Sequence, residues 1–279
     1  MNPKMKIVGL TATPYRMDSG LIYTGDDAIF GGVCYEYALK DAFADGYLTE
    51  IVGKGTKEKL DASGVGKRGG EYIESQLQKA VNKDDKNAAI VNEILSYSDR
   101  TKAGLIFSSG VKHANALAEL IKEAGESCEV VLGSTPNAER DRIIKDFKEG
   151  RIKYLINNAV LTKGFDSPHI DLLACVRPTQ SPVLWQQMIG RGLRLIDGSI
   201  GALETPEERR AAISSSSKPH CLLLDFADNI KQRFGFLDEM TYEDKKASND
   251  TPGEAPVKEC PECLALVHAA VRFCECGYE

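Results

Sequence analysis

The sequence has no long apolar run and no excess of positive charge. Its 279 residues contain no stretch of eighteen or more apolar residues and no charged-then-apolar leader at the start. A membrane-spanning or secreted protein is therefore not predicted, and we expect a cytoplasmic one. The net charge of −6 argues against a protein that holds nucleic acid by bulk charge, but it leaves room for a local basic groove.

The sequence has the proportions of hydrophobic and charged residues that are usual in a folded protein. Hydrophobic residues make up 42% and charged residues 27%, so there is apolar material for a sizeable core. A length of 279 residues suits one large domain or two modest ones.

Eight cysteines are present, and their placement argues against a disulfide scaffold. Cys175 and Cys221 lie in apolar runs, where a buried free thiol is the simple expectation. Cys34 and Cys128 are isolated, and the other four lie within the last twenty residues. This pattern fits a reducing compartment and one metal site.

Strands and helices alternate from residue 103 onward. Apolar runs predict strands at 103–107, 129–132, 153–156, 172–176 and 221–226. Helical spacing predicts helices at 111–125 and 136–150, and a further helix from Ser181-Pro182 onward. The alternation predicts an α/β fold, a mostly parallel sheet with helices on both faces. Function in such sheets gathers at the carboxyl ends of the strands.

Other segments of the chain carry weaker signals. Lys6–Leu10 predicts a strand that closes into a loop at Thr11–Pro14, and we expect the chain to begin within a domain. Helices are predicted at 37–46, 71–81 and 86–97. Residues 60–70 are predicted to form a flexible loop. Lys67-Arg68 in this loop could contact phosphate, but exposure to solvent is the simpler expectation. Residues 198–219 are predicted to be a surface insertion.

Two polar clusters lie between Tyr154 and Arg194. The first is Thr162, Gly164 and Asp166, in the loop after a strand. The second is Gln187, Gly190, Arg191 and Arg194, whose spacing of i, i+3, i+4 and i+7 predicts one helical face. Glycine allows close backbone approach and arginine supplies forked donors, so this face suits contact with phosphate.

Four motifs in order resemble those of the superfamily 2 helicases and translocases. Thr11–Thr13 (TAT) resembles motif III, and Leu105–Ala114 (LIFSSGVKHA) resembles motif IV. Leu161–Asp166 (LTKGFD) resembles motif V, and Gln187–Arg194 (QMIGRGLR) resembles motif VI. Within the superfamily, TATPYR followed by GLIY, together with the C-terminal cysteines, is most similar to the RadD-like bacterial and phage DNA helicases.

The resemblance covers roughly residues 5–235 and implies two RecA-like domains with ATP bound between them. The 279 residues contain no GxxxxGK[ST] phosphate loop and no DEAD- or DEAH-type acidic box, and the glycine-rich run 64–70 has the wrong spacing. We therefore expect 1–50 to be a remnant of the first RecA-like domain with a connector, and 51–240 to be the second. Residues 241–258 are predicted to be a linker, and 259–279 a zinc-ribbon-like module.

The resemblance implies a role in ATP hydrolysis for the second cluster. Arg194, and next Arg191, would act as the arginine finger that stabilises charge on the transferred phosphoryl group. Gln187 would orient the γ-phosphate or the attacking water, and Gly190 would allow close approach. The simpler alternative for both arginines is a surface salt bridge, such as one with Asp197.

The resemblance also assigns the remaining motif residues. Asp166 would accept a hydrogen bond from the ribose and Gly164 would let its loop approach, although Asp166 is also suited to capping a turn before Ser167-Pro168. Hydroxyls that would contact a nucleic-acid backbone are those of Thr162 and Ser108. The residues that would couple the nucleotide state to domain closure are Thr11 and Thr13. His113 and His169 are expected to be surface residues without a role.

The C-terminal cysteines are spaced as candidate zinc ligands. Cys260, Cys263, Cys274 and Cys276 offer four thiolates around a short apolar segment, which suits tetrahedral Zn²⁺. The second pair is C-x-C, one residue shorter than a zinc ribbon normally uses, so His268 is a reserve ligand. A disordered tail with free thiols is the alternative. If the module binds metal, it should be unfolded without it.

The expected function is that of the C-terminal motor half of an ATP-dependent DNA helicase, inactive without its partner domain. The resemblance implies ATP and Mg²⁺ as cofactors of the full-length enzyme, and the four C-terminal cysteines predict Zn²⁺. The resemblance implies sequence-independent DNA, the N-terminal RecA-like domain and DNA-repair proteins as partners, with no membrane. The alternatives are a non-catalytic module that binds DNA or a repair partner, and the motor part of a restriction enzyme. A nuclease signature would indicate the last, and none is evident.

Overall fold

The structure is a computed structural model that describes residues 6–16, 20–158, 165–196, 198, 200–236, 257–274 and 276–278. Its strands are β1 Tyr15–Arg16, β2 Gly20–Leu21, β3 Glu50–Lys54, β4 Lys67–Arg68, β5 Glu71–Tyr72, β6 Gly104–Ser108, β7 Cys128–Val131, β8 Tyr154–Asn157, β9 Leu172–Val176, β10 His220–Asp225, β11 Val257–Glu259 and β12 Leu266–His268. Its α-helices are α1 Leu39–Ala44, α2 Glu74–Val81, α3 Asp84–Leu95, α4 Val111–Glu123, α5 Asn137–Lys148, α6 Pro182–Ile189 and α7 Pro206–Ser215.

A six-stranded sheet forms the centre of the protein. Its strand order is β3-β10-β9-β6-β8-β7, and every neighbouring pair is parallel. Each crossover therefore returns over a face of the sheet, as strand-helix alternation requires. The parallel sheet predicted from residue 103 onward is confirmed, with strand ends that differ by one residue or less.

Helices cover both faces of this sheet, as predicted. Leu105 and Phe107 of β6 pack into a cluster with residues of α5 and α6, whereas Ile106 packs into a second cluster with α3 and α4. Side chains alternate between the faces because successive residues of a strand point in opposite directions. Trp185 of α6 is fully buried in the first cluster and stacks on Phe234, with 5.7 Å between ring centroids.

For the first hundred residues, one prediction is wrong, one is correct only in part, and one strand was not predicted. Lys6–Leu10 is not a strand, and Ile7, Val8 and Leu10 are exposed, because an apolar run becomes a strand only where it finds a partner. Residues 60–70 are not simply a loop, since β4 pairs with β5 in a tight hairpin and α2 begins only at Glu74. β3 has no counterpart among the predicted strands, although it forms one edge of the sheet.

The region 198–219 is more ordered than a surface insertion. It contains α7, which begins with a complete capping box: Thr205 accepts from the Glu208 amide, and the Glu208 carboxylate accepts from the Thr205 amide. Arg209 is buried and donates to the carbonyl of Asp45 at 2.6 Å. The helix is therefore fixed to the loop after α1.

His113 is not a surface residue, which corrects the prediction, whereas His169 is exposed as expected. His113 lies in the first turn of α4, and its Nδ1 accepts from the Ser109 amide at 3.3 Å. Burial lowers the pKa of His113 to about 4, because the charged imidazolium would lose its hydration. The side chain is therefore neutral at pH 7.

The C-terminal module packs against the edge strand β3. Its two strands β11 and β12 are antiparallel, and Val257 and Leu266 join the main hydrophobic cluster. The Gly55 amide donates to the Leu264 carbonyl at 2.8 Å, and Lys54 forms an isolated bridge with Ala265. Val257 and Lys258 belong to β11, within the range predicted as linker; residues 241–256 lie outside the described residues.

The described helices are also relevant to the membrane question. None of them is long and apolar enough to span a bilayer.

Candidate functional site

α6 carries the second polar cluster, but it ends before the arginines. Ser181 caps its start by accepting from the Leu184 amide at 3.1 Å, and Pro182 occupies the first turn. The helix ends at Ile189, so the predicted single helical face for residues 187–194 is wrong. The chain turns there because Gly192 is buried against the sheet, where an added Cβ would lie 2.7 Å from Cys221 Sγ.

Arg191 and Arg194 both contact the last two residues of motif V. Arg191 Nη1 donates to the Phe165 carbonyl, and Arg194 Nε lies 3.5 Å from Asp166 Oδ1. Burial lowers the pKa of Arg191, and the charge of Arg194 lowers it further, while Asp166 opposes the shift. Motifs V and VI are thus joined side by side, with one arginine half-buried and the other exposed.

A cavity of about 430 Å³ brings the motifs together. Three of the motifs contribute to its lining, through Ala12 of TAT, through Asp166, and through Gly190 and Arg194. Gln186 Nε2 donates to the Ala12 carbonyl at 3.2 Å, which joins the TAT segment to α6. The volume of the cavity lies in the range of small-molecule sites, and the charged residues that line it are Arg194 and Asp166.

Two residues that sequence reasoning missed fix the backbone of Arg194. The Thr49 hydroxyl and Lys218 Nζ both donate to the Arg194 carbonyl, at 3.2 and 2.6 Å, and Lys218 also donates to the Pro168 carbonyl at 2.9 Å. Both side chains are buried, and burial lowers the pKa of Lys218. No sequence signal marks this pair, because the contacts join residues far apart in the chain.

The other predicted site residues lie in varied surroundings. Gln187 is half-buried on α6 and does not line the cavity. Ser108 is fully buried, and its hydroxyl donates to the Asn157 carbonyl at 3.3 Å, so contact with a ligand would require that bond to break. The Thr13 amide donates to the Thr11 hydroxyl at 3.0 Å beside the cavity.

Three predicted residues lie outside the described part of the chain. These are Thr162 and Gly164 of the motif V loop, and Asp197, the alternative partner of the arginines. In the described residues Arg194 pairs with Asp166 instead.

The four C-terminal cysteines converge despite the short C-x-C spacing. Their sulfurs all lie within 4.8 Å of one another, with Cys260 Sγ and Cys276 Sγ 3.6 Å apart and Cys263 Sγ and Cys274 Sγ also 3.6 Å apart. A tetrahedral zinc site with Zn–S bonds of about 2.3 Å places its sulfurs roughly 3.8 Å apart. The donor set therefore fits zinc. His268 is not needed, and its Nδ1 accepts from the Ala270 amide at 3.1 Å.

Comparison with known proteins identifies the central part of the chain. The family described as the helicase conserved C-terminal domain matches residues 85–195. One similar solved structure is described as the fragment of a putative HsdR subunit of a type I restriction enzyme from Vibrio vulnificus. The match covers 77% of this chain and 38% of that protein's chain, with a TM-score of 0.53 and 20% identity. At that identity the match shows the fold alone.

Two curated fungal proteins are similar over most of the chain. The "Putative ATP-dependent helicase IRC3" of Saccharomyces cerevisiae is 29% identical over 225 residues, which are 80% of this chain and 29% of that protein. The "Putative mitochondrial ATP-dependent helicase irc3" of Schizosaccharomyces pombe is 30% identical over 230 residues, which are 82% of this chain and 34% of that protein. The chain thus spans about a third of the length of these relatives.

Proposed function

We propose that the chain belongs to the superfamily 2 helicases and is the C-terminal motor half of an ATP-dependent DNA helicase or translocase. Similarity to helicases over four-fifths of the chain supports this proposal. The closer placement among RadD-like enzymes, and with it the choice of DNA, remains a prediction from the sequence.

The observation that carries the proposal is the meeting of three motifs around one cavity. The TAT segment, Asp166 and Arg194 come from distant parts of the chain and line the same space of about 430 Å³. Parts that lie together only after folding are what a composite nucleotide site requires. The cavity would then form one wall of the ATP cleft.

Arg194 is the better placed of the two arginines for the finger role. Its side chain is 56% exposed, and among the described residues its ion-pair partner is Asp166, which is 55% exposed and lies 3.5 Å away. A phosphoryl group could replace that carboxylate without unfolding anything, because exposed pairs are weak. Arg191 donates to a backbone carbonyl and is half-buried, so it would hold the motif V segment in position instead.

Asp166 would change partners in the same step. In the described structure it pairs with Arg194, and the resemblance assigns it to a ribose hydroxyl. Arrival of a nucleotide would thus release the arginine toward phosphate and the aspartate toward ribose. The structure supports this exchange through the exposure of both side chains.

Phosphate binding, magnesium binding and water activation would come from residues that this sequence does not contain. Mg²⁺ would supply the positive charge that neutralises the developing negative charge in such a reaction. The 279 residues include neither GxxxxGK[ST] nor an acidic box, so we expect this chain alone to hydrolyse no ATP. Zinc, held by the four cysteines, would have a structural role.

Arg194→Ala tests the finger. On the complete gene product, we expect ATP turnover stimulated by single-stranded DNA to fall by about 10³-fold while ATP binding remains measurable. Arg142→Ala is the matched control, because Arg142 is an exposed arginine that pairs only with Asp146 on α5.

Unchanged turnover in Arg194→Ala would remove the finger assignment. Equal losses in both variants would indicate general damage. A complete gene product that binds DNA but never hydrolyses ATP would favour the alternative of a non-catalytic binding module.

A further inference from the structure

A small hairpin stands at the carboxyl edge of the sheet. β4 and β5 are joined by Gly69 and Gly70, whose φ angles are +61° and +80°. Positive φ at both central residues gives a turn that matches the twist of the flanking strands, and glycine adopts it without strain. A Cβ added at Gly69 would meet no atom within 4 Å, so the tip points into open space.

The hairpin is fixed to the sheet by the carboxylate of Glu71. That group accepts from the Thr179 hydroxyl and from the Gln180 amide at 3.0 Å. Both residues follow the carboxyl end of β9. On the other side, Arg233 Nη2 donates to the Tyr72 hydroxyl at 3.0 Å. A six-residue hairpin is thus held at two points in a definite position.

The orientation of Glu71 leaves Arg68, on the opposite strand, without an ion-pair partner among the described residues. Arg68 and Glu71 are directly opposite on the two strands, where opposite charges ordinarily pair. Instead Glu71 turns inward to neutral donors. Within the described residues, no carboxylate lies within ion-pair distance of Lys67 or Arg68, and both side chains are exposed.

A buried cation lies near the point where the hairpin is attached. Arg177 is 8% exposed, donates to the amide oxygen of Asn158 at 3.3 Å, and forms no ion pair with a described residue. Its charge therefore has only a neutral partner. Together with Lys67, Arg68 and Arg233 it makes four cations that form no ion pair with a described residue, in a chain whose net charge is −6. This edge is a local basic surface.

We propose that the hairpin Lys67–Tyr72 contacts the phosphate backbone of single-stranded DNA along the carboxyl edge of the sheet. This inference rests on the proposed function and names residues that would grip the strand. Lys67 and Arg68 meet the phosphates, and Glu71 acts as a positioning residue that keeps the turn beside β9. Contacts to phosphate carry no base specificity.

Paired charge removals test the contact. Binding of the full chain to a fluorescent oligothymidine is measured by anisotropy between 0.05 and about 0.3 M salt. The double change Lys67→Ala/Arg68→Ala should weaken binding about tenfold at 0.15 M and reduce the slope of log affinity against log salt by about 1.4, the value for two lost contacts to single-stranded DNA. Lys145→Ala/Lys148→Ala removes two exposed cations from α5 and should change neither.

Glu71→Ala separates position from charge. Removing a negative charge would strengthen DNA binding if bulk charge alone governed it. If Glu71 positions the hairpin, the same change should weaken binding several-fold. Glu139→Ala, an exposed acid on α5, is the control and should leave binding unchanged or slightly tighter.

The outcomes distinguish this inference from the proposed function. If the unaltered chain binds DNA and both double variants bind equally, the hairpin is not the contact. Tighter binding by Glu71→Ala also overturns it. If the unaltered chain does not bind single-stranded DNA at all, the proposed function loses its support along with the hairpin.

Discussion

The arginine site and the cysteine cluster are built in opposite ways. At the arginine site, comprising Asp166, Arg191 and Arg194, buried donors hold the backbone while Arg194 and Asp166 keep exposed side chains. In the cysteine cluster, the side chains themselves meet, with sulfur pairs at 3.6 Å. The arginine site is therefore expected to keep its structure when no ligand is bound. The cysteine cluster is expected to need its metal in order to fold.

Strand β3 lies between the two sites and contacts both. Thr49, just before it, donates to the Arg194 carbonyl, and Gly55, just after it, donates to the Leu264 carbonyl of the module. The two sites are therefore joined by one strand of five residues. Because of this difference, the sheet that carries the arginine site should stay folded when the cysteine module unfolds.

Removal of metal is expected to have the largest effect. Structural zinc contributes about 10 kcal/mol or more to small metal-dependent modules, so a strong chelator should unfold residues 257–278. The six-stranded sheet and its helices should remain folded, because the second hydrophobic cluster contains no residue of the module. Hydrogen exchange would show lost protection in β11 and β12 but not in β6 or β9.

Metal content gives the control for that experiment. Cys276→Ser should lower bound zinc well below one per chain, whereas Cys34→Ser, which alters an exposed free cysteine, should leave it unchanged. Well under one zinc in the unaltered chain, purified without chelator, would favour free thiols. Protection of β11 and β12 after chelation would show that the module folds without metal.

Gly192→Ala, which lies between the two arginines of the arginine site, is expected to have an intermediate effect on the free energy of unfolding. The new methyl group would lie 2.7 Å from Cys221 Sγ and 2.9 Å from Leu173 Cδ1. Overpacking of this kind costs about 1–3 kcal/mol, which urea unfolding would measure. Gly201→Ala is the control, because a Cβ there meets nothing within 4 Å. A neutral result for Gly192→Ala would mean that the core does not fix this turn.

The smallest effect is expected for the Asp166–Arg194 pair itself. Both side chains are more than half exposed, so a double-mutant cycle with alanine at each position should give a coupling below about 1 kcal/mol that weakens with salt. A coupling of several kcal/mol would mean that the pair is a structural clamp. Arg194 would then not be available to exchange its partner for phosphate.

The sequence was sufficient for the parts of the fold that repeat a local pattern. β6 to β10, the helices α4 and α5 and the start of α6 follow from apolar runs and helical spacing, and the similarity to the helicase C-terminal domain follows from motifs in order. α7 was also within reach, because Thr205-Pro206 with Glu208 is a helix-start signal. The four consecutive serines at 214–217 instead favour a loop, so the sequence predicts a surface insertion there.

The remaining features depend on contacts between distant residues. Lys6–Leu10 and Glu50–Lys54 are both short apolar runs, yet only the second finds a partner, in β10. The end of α6 was misplaced because Gly192 packs against the sheet, a fact of tertiary packing. Thr49 and Lys218 fix the site through backbone carbonyls, and no spacing in a sequence reports such contacts.

The position of β3 also bears on how the protein avoids self-association. An edge strand presents unpaired amides and carbonyls to other chains, and such edges invite aggregation. Here the Thr49 amide donates to the Leu193 carbonyl and the Gly55 amide donates to the Leu264 carbonyl, so both ends of the edge are covered. A chain that lost its zinc would uncover one of them. Metal depletion should therefore reveal itself first as aggregation through β3.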